Sequence, residues 1–205
     1  FEMEKKTVAV LFGGVSSEHD VSLISVTSVL QHIPTDRYDI IKVGITKDGR
    51  WLHFTGDNDL IHNGAWESYP TNRTAFFTPD PTVGGLVVKT DTGCEVLPVD
   101  VVFPVLHGKN GEDGTLQGLL QMSGIPFVGC DLLSSAACMD KGVTNILLEA
   151  AGVPQAKFLW LYAGDYEQKK DAVREEITTR LGGYPVFVKP ANAGSSVGVS
   201  KVHCE

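Results

Sequence analysis

Lys189 closes an apolar run, residues 185–189 (PVFVK), and a small-residue stretch then leads into Gly194-Ser195-Ser196-Val197-Gly198. Glycines let backbone N–H groups approach a ligand closely, and two hydroxyls add donors, so this loop has the composition of a phosphate cradle. An ammonium at the strand end beside it can meet phosphate oxygens as a point charge. The plainer reading is a hairpin turn next to a solvated lysine, because Gly and Ser dominate turns for steric reasons. Lys141, in Cys138-Met139-Asp140-Lys141, opens a helix. Taken alone it reads as an exposed helix lysine.

Two further groups stand in glycine loops. Glu18 and His19 follow Ser16-Ser17 after Gly13-Gly14. A carboxylate there can accept from a substrate ammonium, or it can simply favour the start of a helix, an effect of about 0.3–1 kcal/mol. Residues 107–114 (HGKNGEDG) hold three glycines and several titratable groups directly after an apolar run. An Asp-capped helix accounts for Asp113 but leaves His107 unexplained. The acids Glu112 and Asp113 also invite a metal reading. With no regularly spaced His or Cys around them, that reading ranks below substrate binding or loop structure, and no metal ligand is assigned.

These residues need elements to hold them. Residues 7–12 (TVAVLF) form a β-branched apolar run ending at a double glycine, which predicts a buried strand feeding a tight loop. Leu23, Val26, Leu30 and Ile33 then fall on one helical face, with Asp20 or Ser22 as cap and Pro34 as stop. Residues 38–46 and 50–54 predict a hairpin about Lys47-Asp48-Gly49, and 86–89 with 94–97 a second one. Residues 55–82 are polar and read as a surface excursion. Residues 101–106 (VVFPVL) predict a third buried strand, followed by a helix over 114–122 and a short strand over 126–128. Beyond a boundary near Gly129, helices are expected about Val143–Ala150 and over 165–181, with strands over 157–162, 185–189 and 199–202. Alternating strands and helices favour an α/β domain with a mostly parallel sheet, whose ligands collect at the carboxyl ends of the strands.

Composition narrows the classes. The chain has 205 residues, a formal net charge of −8 and 42 % hydrophobic residues. That is enough for one large domain or two small ones with a real core. The acidic balance argues against nucleic-acid binding, which needs a basic face. No apolar run is long enough to span a membrane, and the N-terminus has no signal-peptide core, so a cytoplasmic protein is expected. Phe1 and Glu2 precede a natural-looking start at Met3. Cys94, Cys130, Cys138 and Cys204 show no C-x-x-C spacing and read as reduced structural thiols. Zincin and P-loop motifs are absent, and no G-x-G-x-x-G follows the first strand, which disfavours a Rossmann-type dinucleotide binder.

Four ordered stretches go further than pattern. They are 11–23 (LFGGVSSEHDVSL), 107–118 (HGKNGEDGTLQG), 134–141 (SSAACMDK) and 188–201 (VKPANAGSSVGVSK). Together they closely resemble the signatures of D-alanine–D-alanine ligases, which related D-alanine–D-lactate and D-alanine–D-serine ligases of vancomycin resistance share. The resemblance covers the chain from Met3 onward.

It implies an α/β fold: a Rossmann-like, pre-ATP-grasp parallel-sheet domain over residues 3–129, then the first part of an α+β ATP-grasp central lobe over 130–205. It also implies an N-terminal fragment of a cytoplasmic enzyme of peptidoglycan precursor synthesis. ATP would phosphorylate one D-alanine, and the amine of a second would attack the acyl phosphate. By this resemblance Glu18 holds the first D-alanine's ammonium, and Ser195 joins Glu18 in a network around the substrates. His107 lines the first D-alanine site. Lys141 and Lys189 contact the ATP phosphates, and Ser196 with the Gly194, Val197 and Gly198 backbone closes over them. The implied cofactors are ATP and Mg2+, with the metal ligands expected in a C-terminal part, and the full-length enzyme is implied to be a homodimer. The second substrate stays open between D-alanine, D-lactate and D-serine. A non-catalytic module that binds a small ligand without turnover is the reading from another class.

Overall fold

The computed structural model describes residues 4–204. Met3 and Glu205, the ends of the two domains expected from sequence, lie outside the described residues. The chain forms two compact units, one ending at Ala136 and one beginning at Ala137.

The first unit is built on a seven-stranded sheet. Its strands are β1 (Lys6–Gly13), β2 (Tyr38–Ile45), β3 (Trp51–Phe54), β4 (Arg73–Phe77), β5 (Gly85–Thr90), β6 (Gly93–Pro98) and β7 (Val101–Pro104). Their order is β6-β5-β4-β3-β2-β1-β7. β1 pairs in parallel with β2 on one side and β7 on the other. From β2 outward the pairings are antiparallel; tight turns join β2 to β3 and β5 to β6, and the longer connection from β3 to β4 carries a helix and a 3-10 turn. The parallel portion is therefore β2-β1-β7, extended by a bridge between Val102 and Phe127; this bridge is what forms where a strand over 126–128 is expected. Pro104 costs no ladder bond. The Val102 N–H faces outward to the Pro126 carbonyl, so the N–H that Pro104 lacks falls on that same outer side.

β1 reads as an unbroken apolar run because both of its faces are covered. Val8, Val10 and Phe12 face a cluster with Leu23, Val26 and Leu30 of helix α1 (His19–His32). Ala9 and Leu11 face the other cluster, with Leu116 and Leu120 of helix α3 (Thr115–Ser123). The expected surface excursion over 55–82 is partly core. It holds helix α2 (Asp59–His62), a 3-10 turn over Ala65–Ser68 and strand β4. Ile61 and Trp66 are fully buried there. The Trp66 ring lies edge-on to Phe12 at 4.9 Å and occupies the space a side chain at Gly44 would need.

Helix α4 (Leu132–Met139), not foreseen from the sequence, leads into the second unit. That unit holds α5 (Lys141–Ala150), α6 (Ala163–Gln168), α7 (Lys170–Glu176) and a π-helical turn over Ile177–Leu181. Its two-stranded antiparallel sheet is β8 (Val186–Val188) with β9 (Ser200–Val202). Two expectations fail here. Residues 157–162 form no strand, because among the described residues no neighbouring strand pairs with them. The single helix expected over 165–181 breaks at Lys169, whose φ of −129° leaves the helical region. All four cysteines are free and exposed, so they are not core thiols.

Candidate functional site

In the first unit the order β2-β1-β7 puts a topological switch point at the carboxyl end of β1, where open α/β sheets gather ligands. Two loops leave from that end. The loop after β1 is pinned at its glycines. Gly13 N–H donates to Ser22 Oγ at 2.8 Å and Gly14 N–H to the Ile45 carbonyl at 2.8 Å. A Cβ on Gly13 would strike that Ile45 carbonyl, which is why the position is glycine with φ of 87°. His19, buried, meets the Gly14 carbonyl through Nδ1 at 2.8 Å.

Glu18 sits at the N-cap of α1, and its carbonyl accepts from Ser22 N–H at 3.1 Å. It replaces Asp20 and Ser22 as the cap position. Asp20 instead pairs with Lys47 at 3.0 Å, and Ser22 Oγ donates to the Val105 carbonyl. Glu18 N–H donates to Ser16 Oγ at 3.1 Å. The Glu18 side chain is only 7 % exposed. A carboxylate so enclosed must be compensated by donors or cations, and the positive end of α1 contributes.

The second loop brings Gly108 against Glu18. A Cβ on Gly108 would lie 2.5 Å from Glu18 Oε2 and 2.7 Å from Ser16 Oγ, and Gly108 has φ of 67°. Only glycine lets the backbone come so near the carboxylate. His107 is half-buried, with Nε2 3.0 Å from Ser25 Oγ. The acids of this loop are structural. Glu112 Oε2 accepts from Gly108 N–H at 2.6 Å and Asp113 Oδ2 from Asn110 N–H at 2.8 Å. Burial pushes the Asp113 carboxyl up, but hydrogen bonds from Asn110 and Thr115 outweigh it and hold it below the usual range. Among the described residues, no three His, Cys, Asp or Glu side chains come together as metal ligands.

In the second unit, Lys141, Lys189, Gly194, Ser195 and Ser196 line one cleft of about 540 Å³ with Cys138, Met139, Phe187 and Val199. Asp140 caps α5, its carboxylate accepting from Val143 N–H at 3.0 Å and from Asn192 Nδ2 at 3.1 Å. Lys141 Nζ donates to the Ala193 carbonyl and, at 3.4 Å, to that of Ala191. It is therefore no free helix lysine. It anchors the loop, and of its three ammonium protons one remains for a ligand. Lys189 is exposed just past β8, with Nζ 5.9 Å from the centre of the Phe187 ring.

Gly194 to Val197 form a tight turn closed by Val197 N–H on the Gly194 carbonyl at 3.0 Å. Its central residues Ser195 and Ser196 have φ of 48° and 59°. Left-handed non-glycine residues are strained, and they cluster at ligand-binding sites. A second turn, Val199 N–H on the Ser196 carbonyl at 3.3 Å, follows through Gly198 with φ of 72°. Two ammoniums, two hydroxyls and a turn of N–H groups beside Met139 and Phe187 make a donor set that fits a nucleotide triphosphate.

The residues singled out from sequence thus fall into two groups, Glu18 with His107 in the first unit and the lysine–glycine cleft in the second. Sequence reasoning gave Ser22 only as a helix cap and assigned no role to Ser16 or Ser25. For two of them a signal existed: Glu18, Ser22 and Ser25 stand at i, i+4 and i+7.

Comparison with known proteins aligns with this geometry. The family described as D-ala D-ala ligase N-terminus matches residues 7–130, and D-ala D-ala ligase C-terminus matches residues 147–205. A D-alanine--D-alanine ligase of Caldicellulosiruptor bescii is 49 % identical over 199 residues, covering 97 % of this chain and 54 % of the relative. One from Acetivibrio thermocellus is 47 % identical, covering 98 % and 56 %. The chain spans about half the length of the curated relatives it matches. Among solved structures, the VanG D-Ala:D-Ser ligase of Enterococcus faecalis superposes with TM-score 0.82 at 43 % identity, covering 98 % of this chain and 57 % of that one. The D-alanine–D-alanine ligase of Helicobacter pylori gives 0.77 at 25 %, covering 98 % and 59 %.

Proposed function

The chain belongs to the D-alanine–D-alanine ligase family, and from that premise we propose that it contributes the first D-alanine site and part of the ATP site of a cytoplasmic ligase of peptidoglycan precursor synthesis. The activity is proposed for a polypeptide that carries these residues together with the rest of the relatives' length. In this reading residues 3–129 are the substrate-binding domain and 130–205 the first part of an ATP-grasp central domain. The ligase is proposed to act as a homodimer.

The observation that carries the proposal is the enclosed Glu18 carboxylate facing the Gly108 turn at the switch point. Glu18 holds the ammonium of the first D-alanine through a charge-assisted hydrogen bond, and His107 lines the same site. Lys141 and Lys189 hold ATP phosphates, and Ser196 with the backbone of Gly194, Val197 and Gly198 folds over them. Ser195 is assigned to the hydrogen-bonded network around the substrates. ATP supplies the phosphoryl group that activates a D-alanine carboxylate. The chain's own residues position the reactants, neutralise charge and exclude water, which is most of what phosphoryl transfer asks of a protein. Mg2+ is proposed as the accompanying ion. The residues described here gather no ligand set for it, and no step is assigned to it.

The likeness to a D-Ala:D-Ser ligase gives a second reading a specific footing: the acceptor is D-serine, or by extension D-lactate, in place of the second D-alanine. Phosphate release is measured on the longer polypeptide with ATP, magnesium and D-alanine, alone and with D-serine or D-lactate added. Release that needs D-alanine alone supports the first reading, and strong stimulation by D-serine or D-lactate supports the second. Tight D-alanine binding without any phosphate release would overturn both in favour of a non-catalytic binding module.

A further inference from the structure

Helix α1 and its N-cap carry a polar stripe beside the buried Leu23, Val26 and Leu30. Glu18, Ser22 and Ser25, spaced i, i+4 and i+7, lie one above another on a helix. All three meet one short segment that follows β7. Glu18 stands against Gly108, Ser22 Oγ donates to the Val105 carbonyl, and Ser25 Oγ lies 3.0 Å from His107 Nε2. The stripe therefore grips residues 105–108 at three successive points, and its last contact is made to an imidazole instead of to backbone.

We propose that Ser25 is a positioning residue that fixes the His107 ring and its tautomer, with the Ser25 hydroxyl donating to Nε2 so that Nδ1 carries the proton. A histidine's two nitrogens divide their roles, and the bond at one sets the proton on the other. With Nε2 accepting from Ser25, Nδ1–H becomes a donor. An amino acid is a zwitterion, so a site that offers Glu18 to its ammonium needs a donor for its carboxylate, and His107 adjoins the Gly108 turn that faces Glu18. The substrate half of this inference rests on the D-alanine reading above. The Ser25–His107 half rests on geometry alone.

The two halves are tested separately. The 205-residue chain, labelled with 15N at histidine, is examined by long-range 1H–15N correlation at pH 8, with the His107 signals assigned through His107→Gln. The expected spectrum shows His107 protonated at Nδ1. In Ser25→Ala the proton redistributes toward Nε2, and in Ser25→Thr, which keeps the hydroxyl, the Nδ1–H form returns. An unchanged tautomer in Ser25→Ala, or failure of Thr to restore it, overturns the role of Ser25. In the longer polypeptide, Ser25→Ala should raise KM for D-alanine roughly threefold to tenfold, the range expected for one lost hydrogen bond, and leave KM for ATP unmoved. A tautomer change with an unmoved D-alanine KM overturns the substrate half and with it His107's place in the D-alanine site, while the Ser25 clamp stands.

Discussion

Glu18 and Lys189 carry charges of opposite sign in different units, so their substitutions should separate two binding events. Glu18→Gln keeps the size of a side chain that is 7 % exposed and removes its charge. A hydrogen bond to a charged group is worth roughly 1.5–3 kcal/mol. kcat/KM for D-alanine is therefore expected to fall at least about tenfold in the longer polypeptide, with KM for ATP held. Lys189→Ala is expected to do the reverse, raising KM for ATP and slowing phosphoryl transfer with KM for D-alanine little changed and the fold intact, because an exposed lysine past the end of β8 contributes little to packing. Steady-state kinetics with each substrate varied in turn checks both. A shared loss on both substrates would show that the residues act through the fold and not through their charges. Why these positions were legible in the sequence is itself physical. Each follows a run of apolar β-formers or opens a helix, so a polar side chain there has no core to join. The spacing from Glu18 puts Ser25 on the same helix face, but its partner was not legible, because His107 is 82 positions away in sequence.

At the scale of elements, the contact between the loops after β1 and β7 depends on Gly108. Gly108→Ala adds a Cβ 2.5 Å from Glu18 Oε2 at a φ of 67°. The left-handed conformation alone costs a non-glycine residue roughly 1–2 kcal/mol. Gly64 supplies the control, with φ of 78° and nothing within 4 Å of where a Cβ would stand. Thermal unfolding should show a larger loss for Gly108→Ala than for Gly64→Ala, and only the former should weaken D-alanine use. Equal losses would mean that strain alone matters at Gly108. The sheet also sets a pH dependence. Burial holds the His53 imidazole on β3 below its usual pKa, with Glu95 opposing and Arg73 and Lys42 adding to the shift. Between that lowered value and the ordinary one of about 6.5, the unfolded chain binds more protons than the folded one. Stability should therefore rise with pH up to about 6.5 and fall as pH drops from there to the lowered value, and His53→Gln should flatten that limb in denaturant titrations at a series of pH values. The elements themselves were readable where periodicity was strong, as in β1, β2 and α1. Residues 55–82 were not, since Ile61 and Trp66 are buried by distant partners from a four-residue helix and a 3-10 turn too short to show a period. Residues 157–162 have the composition of a strand, yet strand formation needs a partner that local sequence does not name.

At the scale of the whole molecule, the two units differ in how much apolar surface they hide. Every buried hydrophobic side chain among the described residues, from Val8 to Ile125, belongs to the first unit. In the second, Leu147, Tyr162, Phe187 and Val188 are each more than half exposed. Burial of apolar area is the main favourable term in folding, so the units should open at different free energies. Native-state hydrogen exchange on the 205-residue chain is expected to show the amides of β1 and β7 exchanging only through global unfolding. Those of β8, β9 and the turns over 194–199 should exchange far faster. Ending the chain after Ala136 should leave the unfolding midpoint of the first unit within a degree or two, because its two core clusters are drawn entirely from residues before that point. ATP in excess should slow exchange over 189–199 in the intact chain, since any ligand that binds the ordered loop stabilises it by mass action, while the β1 amides stay as they were. Protection of β8 and β9 equal to that of β1 would refute the division of stability between the units. ATP that slows exchange nowhere would instead count against the lysine–glycine cleft as a nucleotide site.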